Sequence, residues 1–305
     1  MDIRIATRGS QLALWQAEHV KARLLEIDPS FNITLNIIKT KGDIILDVSL
    51  AKIGGKGLFV KEIEEAMLAG EADIAVHSMK DVPAESQEGL ELCAILERSY
   101  ASDAFVSNKY KTLSELPDNA VIGTSSLRRA SQLKAKFPIQ TELLRGNVNT
   151  RLRKLDEGLY DAIILASAGL HRLGFDERIA EFIDTKEMIP SAGQGAVGVE
   201  CRSDAPEIKE LLSKLNHQQT ADIVRAEREF NAKVGGSCQV PAGCYIQYIN
   251  EEQFEIRAFI SCPEGQEFYS ETYVAEGSPK GHGFAIADKL LAAGGTKILK
   301  DLGLA

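Results

Sequence analysis

The stretch Asp73-Ile74-Ala75-Val76-His77-Ser78-Met79-Lys80-Asp81-Val82-Pro83 joins a short apolar run to a polar loop that ends in proline. The run has the length and bounds of a buried strand, so the loop leaves from the carboxyl end of that strand. Ligands bind at this edge of open α/β sheets, which makes Asp81 a candidate catalytic residue and Lys80 a candidate binding residue. Position alone also fits a capping or solvated aspartate and a surface lysine. His77 has no visible serine or cysteine partner and reads as structural.

Short apolar runs of this kind alternate with amphipathic helical patterns through about the first two thirds of the chain. That alternation predicts α/β units. The last third instead predicts strands over 245–248, 254–260 and 267–274 and then a helix over 284–302, which together form a small α+β domain. The other predicted strands are 3–6, 33–38, 72–77, 90–96, 120–123, 141–144, 161–166 and 197–201, and the other predicted helices are 11–27, 58–69, 127–137, 148–157 and 208–215.

A chain of 305 residues is longer than one hydrophobic core usually serves, which predicts two or three domains. Two candidate crossings divide the α/β part, near 99–103 and at 190–195, and the second is rich in small residues. Such crossings permit hinge motion, or they are ordinary loops. We expect an α/β domain 1 with Asp81 over 1–98 and 196–216, an α/β domain 2 over 99–195, and an α+β domain 3 over 217–305.

The composition is that of an ordinary globular protein, with 44% hydrophobic and 26% charged residues and a formal charge of −9. The negative charge argues against nucleic acid as the default partner. No apolar run approaches the roughly 18 residues that span a bilayer, and the first residues read as a strand, with no signal-peptide pattern. The five cysteines lack zinc-type spacing, so we expect reduced thiols, no metal site and a cytoplasmic protein.

A basic segment interrupts this acidic chain, since residues 128–154 contain eight Lys or Arg and one acidic residue, a net charge of +7. It overlaps the junction Gly123-Thr124-Ser125-Ser126-Leu127-Arg128-Arg129, where hydroxyls can cap a helix and first-turn N–H groups can face an anion. Arginine side chains there can add bidentate carboxylate contacts. Arg145-Gly146-Asn147-Val148-Asn149-Thr150-Arg151 repeats the arrangement, and Ala6-Thr7-Arg8-Gly9-Ser10 is a third such junction. The segment is either an anion site or a solvated helix face.

Two glycine-containing loops complete the candidates. Gly235-Gly236-Ser237-Cys238-Gln239-Val240-Pro241 places a thiol in a flexible loop, which suits a covalent tether, although a single cysteine is often a small buried residue. Cys244 is a second nearby thiol and adjoins a predicted strand. The loop Ile53-Gly54-Gly55-Lys56-Gly57-Leu58-Phe59 lacks the spacing of a phosphate-binding loop. We interpret it as a mobile lid, with Lys56 and Phe59 as its candidate residues.

Together these motifs closely resemble the porphobilinogen deaminase (hydroxymethylbilane synthase) family. The matching pieces occur in the family's order over essentially the full length, so the resemblance does not depend on any single motif. They are residues 6–8, 77–83, 123–129, 145–151, 168–173 and 236–241.

The resemblance implies a transferase of tetrapyrrole and haem biosynthesis that condenses four porphobilinogen molecules into the linear tetrapyrrole hydroxymethylbilane and releases ammonia each time. It implies a dipyrromethane cofactor held by a thioether to Cys238, and Asp81 as the catalytic carboxylate. It also implies two domains like those of periplasmic binding proteins, the second with an Arg-rich anion cleft, plus a small C-terminal domain, in a monomer without nucleic-acid or membrane partners. The implied cofactor-binding residues are Lys80, Thr124, Ser126, Arg128, Arg129, Arg145, Gly146 and Arg151, and the implied substrate-binding residues are Arg8, Ser10 and Arg172.

Two other functions are compatible with parts of the sequence. A non-catalytic anion receptor would also use helix starts with serine and arginine, but the chain shows no export signal. A cysteine-dependent hydrolase or transferase would use Cys238 as its nucleophile, but the sequence offers no convincing histidine base.

Overall fold

The computed structural model describes residues 1–44, 57–235 and 240–304. The described chain forms two compact units. Unit 1 comprises residues 1–44, 57–99 and 195–221, and unit 2 comprises residues 100–194, 222–235 and 240–304. The candidate residues Lys56 and Cys238 lie outside the described residues. The division into three domains stays a prediction.

Unit 1 is built on one five-stranded sheet. Its strands are β1 Asp2–Arg8, β2 Asn32–Ile38, β3 Ile74–Ser78, β4 Leu90–Ile95 and β10 Val197–Arg202. They lie in the order β2-β1-β3-β10-β4. β1, β2 and β3 are parallel, whereas β10 is antiparallel to both of its neighbours.

Helices accompany this sheet, and the three longer ones each bury an apolar face. They are α1 Gln11–Ile27, α2 Lys41–Ile44, α3 Lys61–Leu68 and α7 Pro206–Ser213. α1 has the predicted bounds and begins where Ser10 Oγ accepts a hydrogen bond from the Ala13 N–H at 3.3 Å. Its buried Val20 and Leu24 lie in one apolar cluster with Ile5 of β1.

Unit 2 contains a second five-stranded sheet, in which β6, β7 and β8 are parallel and β5 is antiparallel to β8 and β9. The sheet order is β7-β6-β8-β5-β9. β5 and β9 were not predicted, and Asp103 begins β5 where we expected a crossing loop. The strands are β5 Asp103–Val106, β6 Val121–Gly123, β7 Gln140–Glu142, β8 Ala162–Ala166 and β9 Glu181–Ile183, and the helices are α4 Leu127–Lys136, α5 Val148–Asp156 and α6 Ser167–Arg172.

The C-terminal part of unit 2 carries an antiparallel three-stranded sheet, as the sequence predicted. The helix Gln218–Lys233 (α8), most of which belongs to unit 2, was not predicted. Gly283, in the helix His282–Leu290, lies so close to the Ala226 carbonyl of α8 that a Cβ atom would collide with it. These two helices therefore pack tightly. The elements are α8 Gln218–Lys233, β11 Ala242–Tyr248, β12 Gln253–Ser261, β13 Phe268–Glu276, α9 His282–Leu290, a π-helical segment Leu291–Gly295 and α10 Thr296–Asp301.

These elements confirm the predicted α/β class with a small α+β part at the C-terminal end. Across the described ranges, none of the helices combines the length and the apolar character that crossing a membrane requires.

Candidate functional site

The topology of the first sheet gathers the predicted residues of unit 1 at one edge. β1 and β3 are parallel, so Arg8 and the turn after Ser78 leave the sheet on the same side. β10 runs the opposite way and starts at this edge, where Val197 pairs with Ser78. The predicted residues that follow these two strand ends are Arg8, Ser10, Lys80 and Asp81.

Asp81 ends a single turn of 3-10 helix, Met79–Asp81, directly after β3. The Met79 N–H donates to the Ala196 carbonyl at 3.1 Å, and the Val82 N–H donates to the Met79 carbonyl at 3.3 Å. These backbone bonds fix the turn without using the carboxylate. Asp81 is half-buried, and its side chain has no hydrogen bond or ion pair with the rest of the described chain, so the carboxylate is available to a ligand.

Two side-chain contacts hold the end of β3 in place behind this turn. Gln16 of α1 donates to Ser78 Oγ at 2.9 Å. His77 Nε2 lies 3.3 Å from Glu200 Oε2 of β10, and both side chains are buried. His77 is thereby engaged within unit 1, and its structural role stays a prediction.

Arg8, which we predicted to bind substrate, is engaged within unit 1. Its Nη2 atom lies 2.5 Å from Asp43 Oδ1, and its guanidinium lies 4.2 Å from the centre of the Phe59 ring. Partial burial raises the pKa of the Asp43 carboxyl, but the hydrogen bonds and charge of Arg8 outweigh that effect and lower the pKa below its ordinary value. Phe59, a predicted lid residue, thus contacts a predicted substrate residue.

The second sheet gathers the predicted residues of unit 2 by the same rule. β6, β7 and β8 are parallel, so the junctions that follow them lie at one edge. β5 is antiparallel, and its first residue, Asp103, pairs with Ala166, the last residue of β8. The predicted residues at or after this edge are Thr124, Ser126, Arg128 and Arg129 behind β6, Arg145, Gly146 and Arg151 behind β7, and Arg172 behind β8.

Arg128 and Arg129 of α4 converge on the carboxylate of Asp103, and we call these three residues the Asp103 cluster. Arg128 Nη2 donates to Asp103 Oδ2 at 2.7 Å, and Arg129 Nη2 donates to Oδ1 at 2.7 Å. The guanidiniums also donate to the carbonyls of Ile189 and Ile164, at 2.8 and 2.9 Å. Asp103 is 0% exposed and each arginine is 6% exposed.

The Asp103 cluster has an excess of positive charge, because two guanidiniums share one carboxylate. Burial alone would raise the pKa of Asp103, but the charges of Arg128 and Arg129 outweigh it and lower the pKa to about 2. Burial and the charge of Arg129 together lower the pKa of Arg128 below its ordinary value against the opposing effect of Asp103, and burial lowers the pKa of Arg172 to about 10. Arginine stays protonated even so. A ligand carboxylate would therefore relieve an electrostatic cost at the Asp103 cluster.

The junction before α4 has the predicted capping geometry. Ser126 Oγ accepts a hydrogen bond from the Arg129 N–H at 3.4 Å, and Thr124 Oγ1 accepts one from the Ser126 N–H at 3.2 Å. The first-turn backbone is thereby anchored, and the predicted hydroxyl cap is confirmed, with Ser126 as the capping residue.

The junction before α5 is a tight turn between two arginines. Gly146 has a φ of +114°, Asn147 Oδ1 accepts from the Thr150 N–H at 2.9 Å, and Arg151 Nε donates to the Gly146 carbonyl at 2.8 Å. Arg145, immediately before the turn, is buried. The turn therefore fixes the backbone between Arg145 and Arg151.

Replacing Gly146 with alanine is expected to lower the free energy of unfolding by about 2–3 kcal/mol. The matched control is Gly158→Ala, with an expected loss of about 1 kcal/mol. Both glycines have positive φ, but a Cβ at position 146 would lie 2.7 Å from Thr150 Cγ2, whereas a Cβ at 158 meets nothing within 4 Å. Urea unfolding of both variants measures the difference, and equal losses would contradict the steric argument.

Sequence reasoning missed two buried polar residues of this edge, Asp103 and Gln194. Gln194 Nε2 donates to Asp103 Oδ1 at 3.0 Å and to the Ala101 carbonyl at 2.6 Å. Both residues lie in segments that we interpreted as crossings. The available signal was an acidic residue directly before the apolar run 104–106, in a region whose arginines need a buried counter-charge.

Solved structures with partial likeness to the chain are bacterial binding proteins and lipoproteins. A pheromone precursor lipoprotein of the YaeC family from Enterococcus faecalis has a TM-score of 0.47 at 13% identity, covering 77% of this chain and 98% of that chain. A nutrient binding protein from Burkholderia cenocepacia, bound to methionine, has a TM-score of 0.44 at 12% identity, covering 72% and 93%.

Sequence comparisons give a closer relationship. Residues 3–210 match the family model described as porphobilinogen deaminase, dipyrromethane cofactor binding domain, and residues 221–292 match the porphobilinogen deaminase C-terminal domain. A porphobilinogen deaminase from Thiobacillus denitrificans is 51% identical over 302 residues, which are 98% of this chain and 98% of that protein. The chain therefore belongs to the porphobilinogen deaminase family.

Proposed function

We propose that the protein is a transferase of tetrapyrrole biosynthesis that joins four porphobilinogen molecules head to tail into hydroxymethylbilane, with loss of ammonia at each addition. The observation that carries this proposal is that a member of this family presents both an available carboxylate, Asp81, and the cationic Asp103 cluster at sheet edges. The substrate has an amine that leaves and two carboxylates. Departure of the amine needs a partner for the positive charge that develops, and the two carboxylates need cations.

Asp81 acts on the charge that develops as ammonia leaves. The departure of ammonia turns the substrate into an azafulvene cation, whose charge is delocalised onto the pyrrole N–H. A fixed carboxylate facing that N–H stabilises a charge that exists only along the reaction path, which accelerates the step. The bonded Met79–Asp81 turn and the buried pair of His77 and Glu200 fix the backbone that carries Asp81 in advance, so little reorganisation of the loop accompanies the reaction.

The arginines serve the acidic groups of the cofactor and the growing chain. When bound, the dipyrromethane supplies the ring carbon to which the first substrate unit is joined. Its carboxylates fit the Asp103 cluster, where cations outnumber anions, and hydrogen bonds to charged groups of this kind contribute about 1.5–3 kcal/mol each. We assign its thioether to Cys238, which lies outside the described residues.

The remaining assignments belong to the same proposal. The protein would act as a cytoplasmic monomer of three domains on this small molecule, without metal, nucleic-acid or membrane partners. The further cofactor-binding residues are Lys80, Thr124, Ser126, Arg145, Gly146 and Arg151, the substrate-binding residues are Arg8, Ser10 and Arg172, and the lid residues are Lys56 and Phe59.

The intact mass of the purified protein tests the proposed function directly. The wild type is expected to exceed the mass of its polypeptide by two pyrrole units, and Cys238→Ser is expected to remove the excess completely. Cys244→Ser is the matched control, because this buried thiol of β11 lies six residues further on and should leave the excess unchanged.

Two results would overturn the assignment. A wild-type mass equal to that of the bare polypeptide would favour an anion receptor. An active enzyme whose Cys238 reacts with iodoacetamide would favour a cysteine nucleophile over a tethered cofactor.

A further inference from the structure

Two cysteines of unit 1 are in contact on neighbouring strands, at a place that the proposed function does not use. Cys93 lies in β4 and Cys201 in β10, and their sulfur atoms are 2.7 Å apart. Sulfur atoms on adjacent strands at this separation can bond after a small shift of either side chain.

A β-bulge brings the two side chains together. Val199 pairs with Ala94 and Glu200 pairs with Leu92, which leaves Cys93 as the extra residue of β4. A bulge re-aims the side chain of its extra residue relative to a regular ladder. The hydrogen-bonded backbones of both strands therefore hold Cys93 beside Cys201, and no loop has to move for the sulfurs to meet.

The two thiols differ in access. Cys201 is 0% exposed, within the apolar cluster of unit 1. Cys93 is half-buried, and β4 is an edge strand of the sheet. A small reagent in solution therefore meets Cys93 first, while Cys201 stays protected in contact with it.

The local charges favour reaction at the same residue. A hydrogen bond with Cys201 lowers the pKa of the Cys93 thiol, and the Lys209 ammonium of α7 lowers it further, against the opposing effects of burial and of Glu91. Lys209 Nζ is held 2.6 Å from Glu91 Oε2. The same sulfur contact and burial raise the pKa of Cys201. Since the thiolate is the nucleophile in disulfide exchange, the more accessible thiol is also the more reactive one.

We propose that Cys93 and Cys201 form a redox-active dithiol that closes into an intramolecular disulfide by exchange with a small-molecule disulfide. The Cys93 thiolate attacks one sulfur of the reagent, which forms a mixed disulfide and releases one small thiolate. Cys201 then loses its proton to that released thiolate and attacks Cys93 Sγ, which forms the protein disulfide and releases the second small thiolate. Two protein thiols are oxidised by two electrons, and the reagent is reduced to two thiols.

The disulfide would link β4 to β10, the strand that also pairs with β3 and so supports the Asp81 turn. Because the sulfurs already touch, the link forms within the existing strand register. The proposal is independent of the proposed function, since neither cysteine has a role in it.

Peptide mapping of the full-length protein after incubation with oxidised glutathione tests the proposal. The reaction is quenched in acid, and the protein is unfolded in urea and alkylated with iodoacetamide at mildly alkaline pH. Digestion with trypsin then places the two cysteines in separate peptides, 81–98 and 187–202, with one cysteine each. The expected result is loss of both alkylated peptides and appearance of one linked species that dithiothreitol separates. The internal control is Cys262, which is half-buried and falls in the tryptic peptide 258–280. It should form no linked species with either of the other two peptides.

Two variants make the order of the steps visible. In Cys201→Ser, Cys93 is expected to retain glutathione, because the resolving thiol is gone. In Cys93→Ser, Cys201 is expected to remain alkylatable after unfolding. In the wild type, a stable glutathione adduct on Cys93, or complete alkylation of both peptides under excess oxidised glutathione, would overturn the proposal.

Discussion

Asp81→Asn is expected to fold normally and to lose turnover by at least about 100-fold, as do enzymes that lose one preorganised electrostatic partner of the transition state. Asparagine keeps the size of the side chain but removes its charge. The Met79–Asp81 turn is held by backbone hydrogen bonds, so the substitution leaves the fold of the loop intact. The loss should therefore appear in the chemical step, measured as ammonia released in a single turnover.

The control for this prediction is Glu88→Gln, which makes the same change of charge at an exposed position in the loop that follows. It is expected to release ammonia at the wild-type rate. Because cofactor assembly needs the same chemistry, ammonia is measured only on protein whose intact mass shows the bound cofactor. Near-normal single-turnover release in Asp81→Asn would refute the role of Asp81.

The residues of the site that depend on local pattern were predictable from the sequence. β3 was predicted over 72–77 and spans Ile74–Ser78, so the position of Asp81 at a strand end followed from its apolar run alone. The cap at Ser126 and the glycine turn at Gly146 also depend on neighbours within a few residues. Such features are encoded locally, because capping and turn geometry need only short-range hydrogen bonds.

The Asp103 cluster was not predictable in this way, because its contacts join distant segments. Asp103 reaches α4 only because β5 is inserted antiparallel beside β8, about 60 residues further along the chain, and sheet pairing of this kind leaves no local periodicity. The sequence indicated that Arg128 and Arg129 could bind carboxylates. It did not indicate that the protein itself provides the first of them.

Asp103→Asn is expected to act mainly on stability, whereas Arg128→Leu is expected to act mainly on cofactor loading. Asp103→Asn leaves two buried guanidiniums without a counter-charge and should lower the free energy of unfolding by about 3–5 kcal/mol. Arg128→Leu leaves a neutral pair of Asp103 and Arg129, and the Ile189 carbonyl keeps its hydrogen bond from Gln132 Nε2 at 3.1 Å. Its stability loss should therefore be much smaller, while cofactor loading or early elongation should be impaired.

The two effects can be separated by measuring them on different proteins. Urea unfolding is compared in a Cys238→Ser background, where no variant carries the covalent cofactor, and loading is read from the intact mass and the turnover of each variant with Cys238 present. Arg153→Leu is the control for loss of one positive charge, because Arg153 is 63% exposed and pairs only at the surface with Glu157. If Arg128→Leu destabilised the protein as much as Asp103→Asn and still showed normal mass and turnover, Arg128 would be a structural residue. The excess charge of the cluster would then have no part in binding.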